Sequence, residues 1–285
     1  MRFSPAILFL SLAFATLALA QTPTIEEFLS KKLDDKFCAI RSDALLHRIF
    51  SEYGAIYVAD SRVALPNQCL FANEGEVAAF QKTARTMVSY IGRAEIELQE
   101  AAMTELLNAV VEAEARNKRI TPLDGSIAGK RSFNETGRLW NSRFHRALDH
   151  WVSLGRIDEQ ISEAFRWQPF RKQAEQVIKW EAENIFFSTN FSQSIFSSTA
   201  PPGASQHLTM LAFDVAQYSD PEIRRILNDH GWYQTIVSDA PHFTFLGLKE
   251  SELPQRGLKN VMRGSHSYWV PNTATVLKPF ETAAK

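Results

Sequence analysis

Ser205-Gln206-His207, then Asp214, then Asp239-Ala240-Pro241-His242 hold the residue types that a single divalent cation needs. Imidazole and carboxylate are both ordinary zinc ligands, and a His207, Asp214, His242 set would leave one coordination position open. Zinc so held lowers the pKa of water at that position toward about 7. Asp239, a second carboxylate that does not bind the metal, would accept the water's proton and later deliver it to a leaving amine. Residues three apart on a flat strand point to opposite faces. For Asp239 and His242 to share a site, the backbone must therefore bend. Ala240-Pro241 lies between them, and proline fixes φ while pushing its predecessor toward extended geometry.

The elements that would position these groups are legible from periodicity. Residues 21–72 read as helices over Ile25–Leu33 and Ser42–Tyr53, then a short strand, Ala55–Ala59. Glu74 to about Tyr90 reads as a helix, and about Ala94 to Asn117 as a longer one, with Met103, Leu107, Val110 and Val111 at helical spacing as core. Further helices are expected over Glu135–Trp151, Ile157–Ala164 and Gln168–Glu183. From Ile185 the texture changes to Phe186, Phe187, Phe191 and Phe196 among Ser, Thr and Asn, which suits loops and short strands lining a cleft. Met210–Val215 suits a buried strand carrying Asp214. Pro221–His230 is a helix capped by Ser219 or Asp220 and ended by Gly231. Trp232–Val237 and His242–Leu246 are strand-like. Helices first and short strands later make the class α+β.

Each site residue also has a plain structural reading, because seven histidines and 32 acids make such sets common by chance. His207 could be a loop histidine, Asp214 a cap or an arginine partner, and His242 a satisfied core histidine. Asp214 is the hardest to dismiss, since a carboxylate inside Leu211-Ala212-Phe213-Asp214-Val215 is costly to bury without a partner.

The first twenty residues carry one charge, Arg2, an apolar run from Ala6 to Leu19, and Ala18-Leu19-Ala20 before Gln21, the pattern of a cleaved secretory signal. The run is short for a membrane span. The expected product is exported, periplasmic or secreted, with no membrane span. The formal net charge is −1, no basic stripe is present, and nucleic acid is a poor partner. Cys38 and Cys69, the only cysteines, most simply pair in an exported chain. Closing that loop would stabilise the fold by about 3 kcal/mol. Asn134-Glu135-Thr136 and Asn190-Phe191-Ser192 match the glycosylation acceptor pattern, which matters only in a glycosylating host.

The wording of three segments goes further than spacing. Ala200-Pro201-Pro202-Gly203-Ala204-Ser205-Gln206-His207, running on to Asp214, resembles the PGxSxHxxGxAxD segment of the D-alanyl-D-alanine carboxypeptidase (VanY-like) zinc peptidases. Asp239-Ala240-Pro241-His242-Phe243 resembles the DxPHF segment of the related L-alanyl-D-glutamate endopeptidases. Ala128-Gly129-Lys130-Arg131-Ser132 resembles their SGYRS segment, and the three stand in the family's order. The resemblance covers about residues 120–250 and does not reach 21–115. It implies a small antiparallel-sheet zinc peptidase domain of the DD-peptidase/hedgehog-like kind with a helical N-terminal region. The corresponding boundaries are a signal over 1–20, a helical region over 21–118, the catalytic domain over 119–250 and a C-terminal extension over 251–285.

In that family's terms His207, Asp214 and His242 would hold Zn2+, Asp239 would be general base and acid, and Arg131 would stabilise the oxyanion. Ser132 and Ser205 would position substrate. Arg138 and Arg143, on the following helix, suit salt bridges better than catalysis. The chain departs from the family at Met210, where glycine is usual, at Lys130 in the tyrosine position, and at Thr136, where glutamine is often found. Methionine at 210 would narrow the cleft or change substrate preference. The expected activity is hydrolysis of peptidoglycan stem peptides, D-Ala-D-Ala and L-Ala-D-Glu bonds both fitting. The alternative is a non-catalytic cell-wall-binding or scaffold protein that keeps the fold.

Overall fold

A computed structural model describes residues 22–237 and 239–274. The expected secretory signal lies outside them. In chain order the helices and strands are α1 (Ile25–Phe28), α2 (Asp35–Cys38), α3 (Ala44–Tyr53), α4 (Glu74–Thr83), β1 (Thr86–Ile91), β2 (Ala94–Gln99), α5 (Glu100–Ala115), α6 (Phe133–Ser153), α7 (Glu159–Arg166), α8 (Phe170–Ala182), β3 (Ala212–Asp214), α9 (Pro221–Asp229), β4 (Trp232–Tyr233), β5 (His242–Phe245), β6 (Leu258–Arg263) and β7 (His266–Pro271). The class is α+β: helices with small antiparallel sheets. Among the described residues, no helix is long and apolar enough to cross a membrane.

Two expectations fail in the N-terminal half. The segment read as the end of one helix and the start of the next is a hairpin, β1 paired antiparallel to β2 with Ile91 opposite Ala94. The chain turns at Gly92, which has a φ of 61°, a region open to glycine without steric cost. Glu95-Ile96-Glu97-Leu98 alternates with period two, and Ile96 and Leu98 are fully buried. Glu, Ala and Leu favour helix locally, but burying one face of a hairpin outweighs that preference. The region is therefore not wholly helical. The expected strand Ala55–Ala59 is instead a buried 3-10 turn, Gly54–Val58, and residues 185–200 hold loops and one 3-10 turn, Ile195–Ser197.

Cys38 and Cys69 form a disulfide with Cα atoms 5.4 Å apart. One apolar core joins Ile96, Leu98, Met103 and Leu106 to Phe213, Val215, Trp232 and Phe243, so it draws on both sides of residue 118. A second core packs Trp140, Phe144, Trp180, Phe187 and Phe196 between α6, α8 and the loops that follow. The three-stranded sheet, order β3-β5-β4, belongs to the first core. The helix α6 belongs to the second. Elements of both line the cleft that holds the candidate site.

Candidate metal centre

Four local devices bring the ligands together. Gly203, at φ 93°, lets the chain run against Phe71, where a Cβ would meet the Phe71 carbonyl oxygen at 2.0 Å. Behind it Gln206–Thr209 form a buried 3-10 turn that presents His207. Antiparallel pairing of β3 with β5 places Asp214 directly opposite His242. The His242 N–H donates to the Asp239 carbonyl at 3.1 Å. That turn is the bend the Ala240-Pro241 spacing required.

His207 Nε2 lies 3.1 Å from His242 Nδ1. Asp214 Oδ1 lies 3.3 Å from the first and 3.2 Å from the second. The far side of each ring is spoken for. His207 Nδ1 is 2.7 Å from the Gly129 carbonyl, which only accepts, so Nδ1 carries the proton. His242 Nε2 is 2.8 Å from Gln206 Oε1. The Gln206 amide is oriented by its own N–H donation to the Tyr53 carbonyl at 2.9 Å, and Oε1 also accepts from Thr244. His242 Nε2 therefore donates.

The two nitrogens that face each other thus carry lone pairs, and a carboxylate oxygen faces both. Three acceptors at this separation repel one another unless a cation lies among them. A tetrahedral ion with bonds of about 2.0–2.2 Å needs donor atoms about 3.3–3.5 Å apart, close to what is found. Rings whose outer N–H groups are held by a carbonyl or an amide oxygen are the usual support of metal-ligating histidines. The buried group His207, Asp214 and His242 could hold a metal ion.

The electrostatics agree. Burial, aided by Arg131, pushes His207 down to about 4, so it is neutral and able to ligate at neutral pH. For Asp214, burial pushes upward, and His207 and His242, when they face it as protonated donors, outweigh that and hold its carboxyl well below the usual range; with both facing nitrogens unprotonated, the Arg131 guanidinium takes over that role. Arg131 Nη2 also reaches Asp214 Oδ2 at 2.5 Å. Asp239 goes the other way. Burial, with Asp214 adding to it, raises its carboxyl to about 6. The two carboxylates of one cleft are thus set apart, one held ionised and one near the range where a group exchanges protons.

Of the residues expected at the site, His207, Asp214, His242, Asp239, Arg131 and Ser205 all line one cleft. Arg131 is bonded to Asp214 and, through Nε, to the Ile127 carbonyl at 2.7 Å, so it holds a ligand in place. Ser132 does not line the cleft. Its hydroxyl accepts from the Glu135 N–H, and the Glu135 carboxylate returns the bond, so it caps α6. Lys130 pairs with Glu97 at 2.8 Å, tying the turn before α6 to the hairpin. Met210 does not narrow the cleft. It is fully buried with a φ of 59°, which is the conformation a glycine would supply. Arg143 forms no salt bridge among the described residues and lines the cleft instead. Gln206, adjacent to a ligand, is the group whose role the sequence left unread. Its signal was an amide side chain directly before a candidate metal-binding histidine.

No protein-family model matches the chain, and no curated protein matches it. The site is therefore read from its geometry.

Proposed function

We propose that the protein is an exported zinc metallopeptidase with a DD-peptidase-like fold that hydrolyses peptide bonds in peptidoglycan stem peptides. One observation carries the reading. Two unprotonated ring nitrogens and a carboxylate oxygen converge at 3.1–3.3 Å, with both outer ring N–H groups already bonded. Two histidines and one carboxylate leave a divalent ion an open position, and zinc is the ion most often held so at a hydrolytic site.

A zinc ion there would supply a Lewis acid for the scissile carbonyl and would acidify a water beside it. The chain's own residues do the rest. Asp239, raised to about 6 by burial, takes the water's proton and delivers it to the departing amine. Arg131 keeps Asp214 ionised and aimed, while Gln206 and Gly129 fix the two imidazole tautomers. The cleft walls include the side chains of Tyr53, Leu139, Phe196 and Ile236. The scaffold alternative is motivated by the departure at Met210, and the burial of that side chain away from the cleft lining supports the hydrolytic reading over it.

Incubating the zinc-loaded protein with muropeptides and resolving the products tests the reading. Release of D-alanine or cleavage at L-Ala-D-Glu, lost in Asp239→Asn while zinc stays bound, is the expected result. Intact muropeptides at full zinc occupancy would overturn it.

A further inference from the structure

The segment Gly129-Lys130-Arg131 makes two contributions to the candidate centre. The Gly129 carbonyl fixes the His207 tautomer, and the Arg131 guanidinium holds Asp214. Both depend on how this segment lies against the turn Gln206–Thr209, which carries His207. Among the described residues one backbone hydrogen bond joins the two, from the Arg131 N–H to the His207 carbonyl. At 3.3 Å it is long.

A side chain from outside closes the seam. Gln81, on α4, donates through Nε2 to the Arg131 carbonyl at 2.9 Å and to the Leu208 carbonyl at 3.1 Å. A side-chain amide nitrogen carries two hydrogens, one for each bond. Neither carbonyl has another hydrogen-bond partner among the described residues. Arg131 stands just before the Ser132 cap of α6, and Leu208 lies at the end of its short turn, so no helix of their own supplies an N–H.

The packing agrees. Val77 and Phe80 of α4 share a small apolar cluster with Leu208 and Phe133. The Glu74 carboxylate of the same helix accepts from the Asn134 N–H at 2.8 Å. Helix α4 therefore lies across both segments. The next carbonyl, that of Thr209, is taken at 2.8 Å by Gln99 Nε2 of β2. Consecutive carbonyls beside His207 are thus held by two amides from the N-terminal half, and of these Gln81 alone reaches the Arg131 segment as well.

We infer that Gln81 is a positioning residue of the metal centre: it sets the spacing between the Arg131 segment and the His207 turn, and with it the fit of His207 and Asp214 around one ion. The inference rests on the metal-binding part of the proposed function. It makes α4, which the sequence resemblance does not reach, a working part of the centre.

The test uses the full-length mature protein with Gln81, Gln81→Met or Gln81→Lys. Each is titrated with zinc in competition with a chromogenic chelator, well below its thermal midpoint. The visible absorption of the cobalt(II)-loaded forms reports the coordination geometry. Methionine keeps the volume and loses both N–H groups, whereas the lysine ammonium can donate to both carbonyls. Losing a partner beyond the ligands typically lowers metal affinity about 10-fold to 100-fold. Gln81 stands one step further out, so about 10-fold is expected for Gln81→Met, with altered cobalt bands, and Gln81→Lys should recover most of both. A purely structural contact would lower the midpoint of metal-free Gln81→Met and leave zinc affinity and cobalt bands at wild-type values. That result overturns the inference and leaves the zinc reading standing. A loss in Gln81→Met that a folded Gln81→Lys does not recover also overturns it, because the missing donors would not be the cause. A wild type that binds no zinc overturns both. Should Gln81→Met not fold, Gln81→Glu, equal in length and without an N–H, takes its place with the same expected and refuting results.

Discussion

Replacing Gln206 with methionine tests the reasoning about tautomers without touching a ligand. Met has nearly the volume of Gln but accepts almost no hydrogen bond, so the His242 Nε2–H would lose its partner in a site where that histidine is only 3 % exposed. An orphaned buried donor costs about 1–3 kcal/mol. The ring escapes that cost by moving its proton to Nδ1, the atom that faces His207 and Asp214. In that tautomer His242 cannot ligate. Losing such a support typically lowers metal affinity about 10-fold to 100-fold, or about 1.4–2.8 kcal/mol at 1.4 kcal/mol per decade. The assay is zinc competition against a chromogenic chelator at pH 7.5. Gln206→Glu is the contrast: its carboxylate still accepts from Nε2–H, so affinity should hold or rise even though the bond to the Tyr53 carbonyl is lost. Gln206→Met matching wild type in affinity while remaining folded would refute the assignment of the His242 tautomer.

Further outcomes follow from the same geometry. Asp239→Asn should reduce hydrolysis by at least about a hundredfold, the usual scale of a lost general base, with zinc content unchanged; loss of zinc instead would make Asp239 a ligand. For metal-free protein the signs at acid pH oppose each other. His207, depressed to about 4, takes up protons more readily when unfolded and so removes stability as pH falls from about 6.5 to about 4. Asp239, raised to about 6, binds its proton more readily when folded and returns stability as pH falls through about 6. In metal-free Asp239→Asn that opposing contribution is gone; His145 and His266, also depressed by burial, add to the His207 effect and Glu181, raised by burial, opposes it. The urea midpoint should therefore drop from pH 6.5 to 4, and drop less when His207→Gln is added; an equal drop in both proteins contradicts it. Breaking the Cys38–Cys69 bond, which closes a loop with a sequence separation of 31, by Cys38→Ser with Cys69→Ser should cost about 3–4 kcal/mol, read as a lower urea midpoint. Met210→Gly relieves a left-handed residue worth about 1–2 kcal/mol but empties a fully buried side chain worth about 2–5 kcal/mol. A net loss of stability with hydrolysis retained is expected, and a large gain in activity would mean that Met210 does obstruct the cleft.

How much of this was legible in the chain differs between elements. That His207, Asp214, His242 and Asp239 come together in one cleft was readable from an acid in an apolar strand and histidines beside chain breaks. The β3–β5 register that sets Asp214 against His242 follows from two short apolar strands and was within reach. The hairpin over Thr86–Gln99 was not, because Glu, Ala and Leu in β2 have helical preferences and only Ile96 and Leu98, buried with period two, betray the strand. Helix α6 was expected from Glu135 and begins at Phe133, two residues early because Ser132 and Glu135 cap it reciprocally. That same bond turned Ser132 from an expected substrate contact into a cap. Gln206 escaped notice, and Arg143 was read as a salt-bridge partner, for one reason. Their roles lie in which partners they have or lack in space, and no spacing along the chain encodes that.

The most direct test of the central claim is the zinc content of the purified mature protein, measured by elemental mass spectrometry after zinc is supplied and excess removed, beside His207→Ala prepared in the same way. About one zinc per chain in the wild type, lost in a folded His207→Ala, is the result this account predicts. A well-folded wild type without zinc, or equal zinc in both proteins, would contradict it.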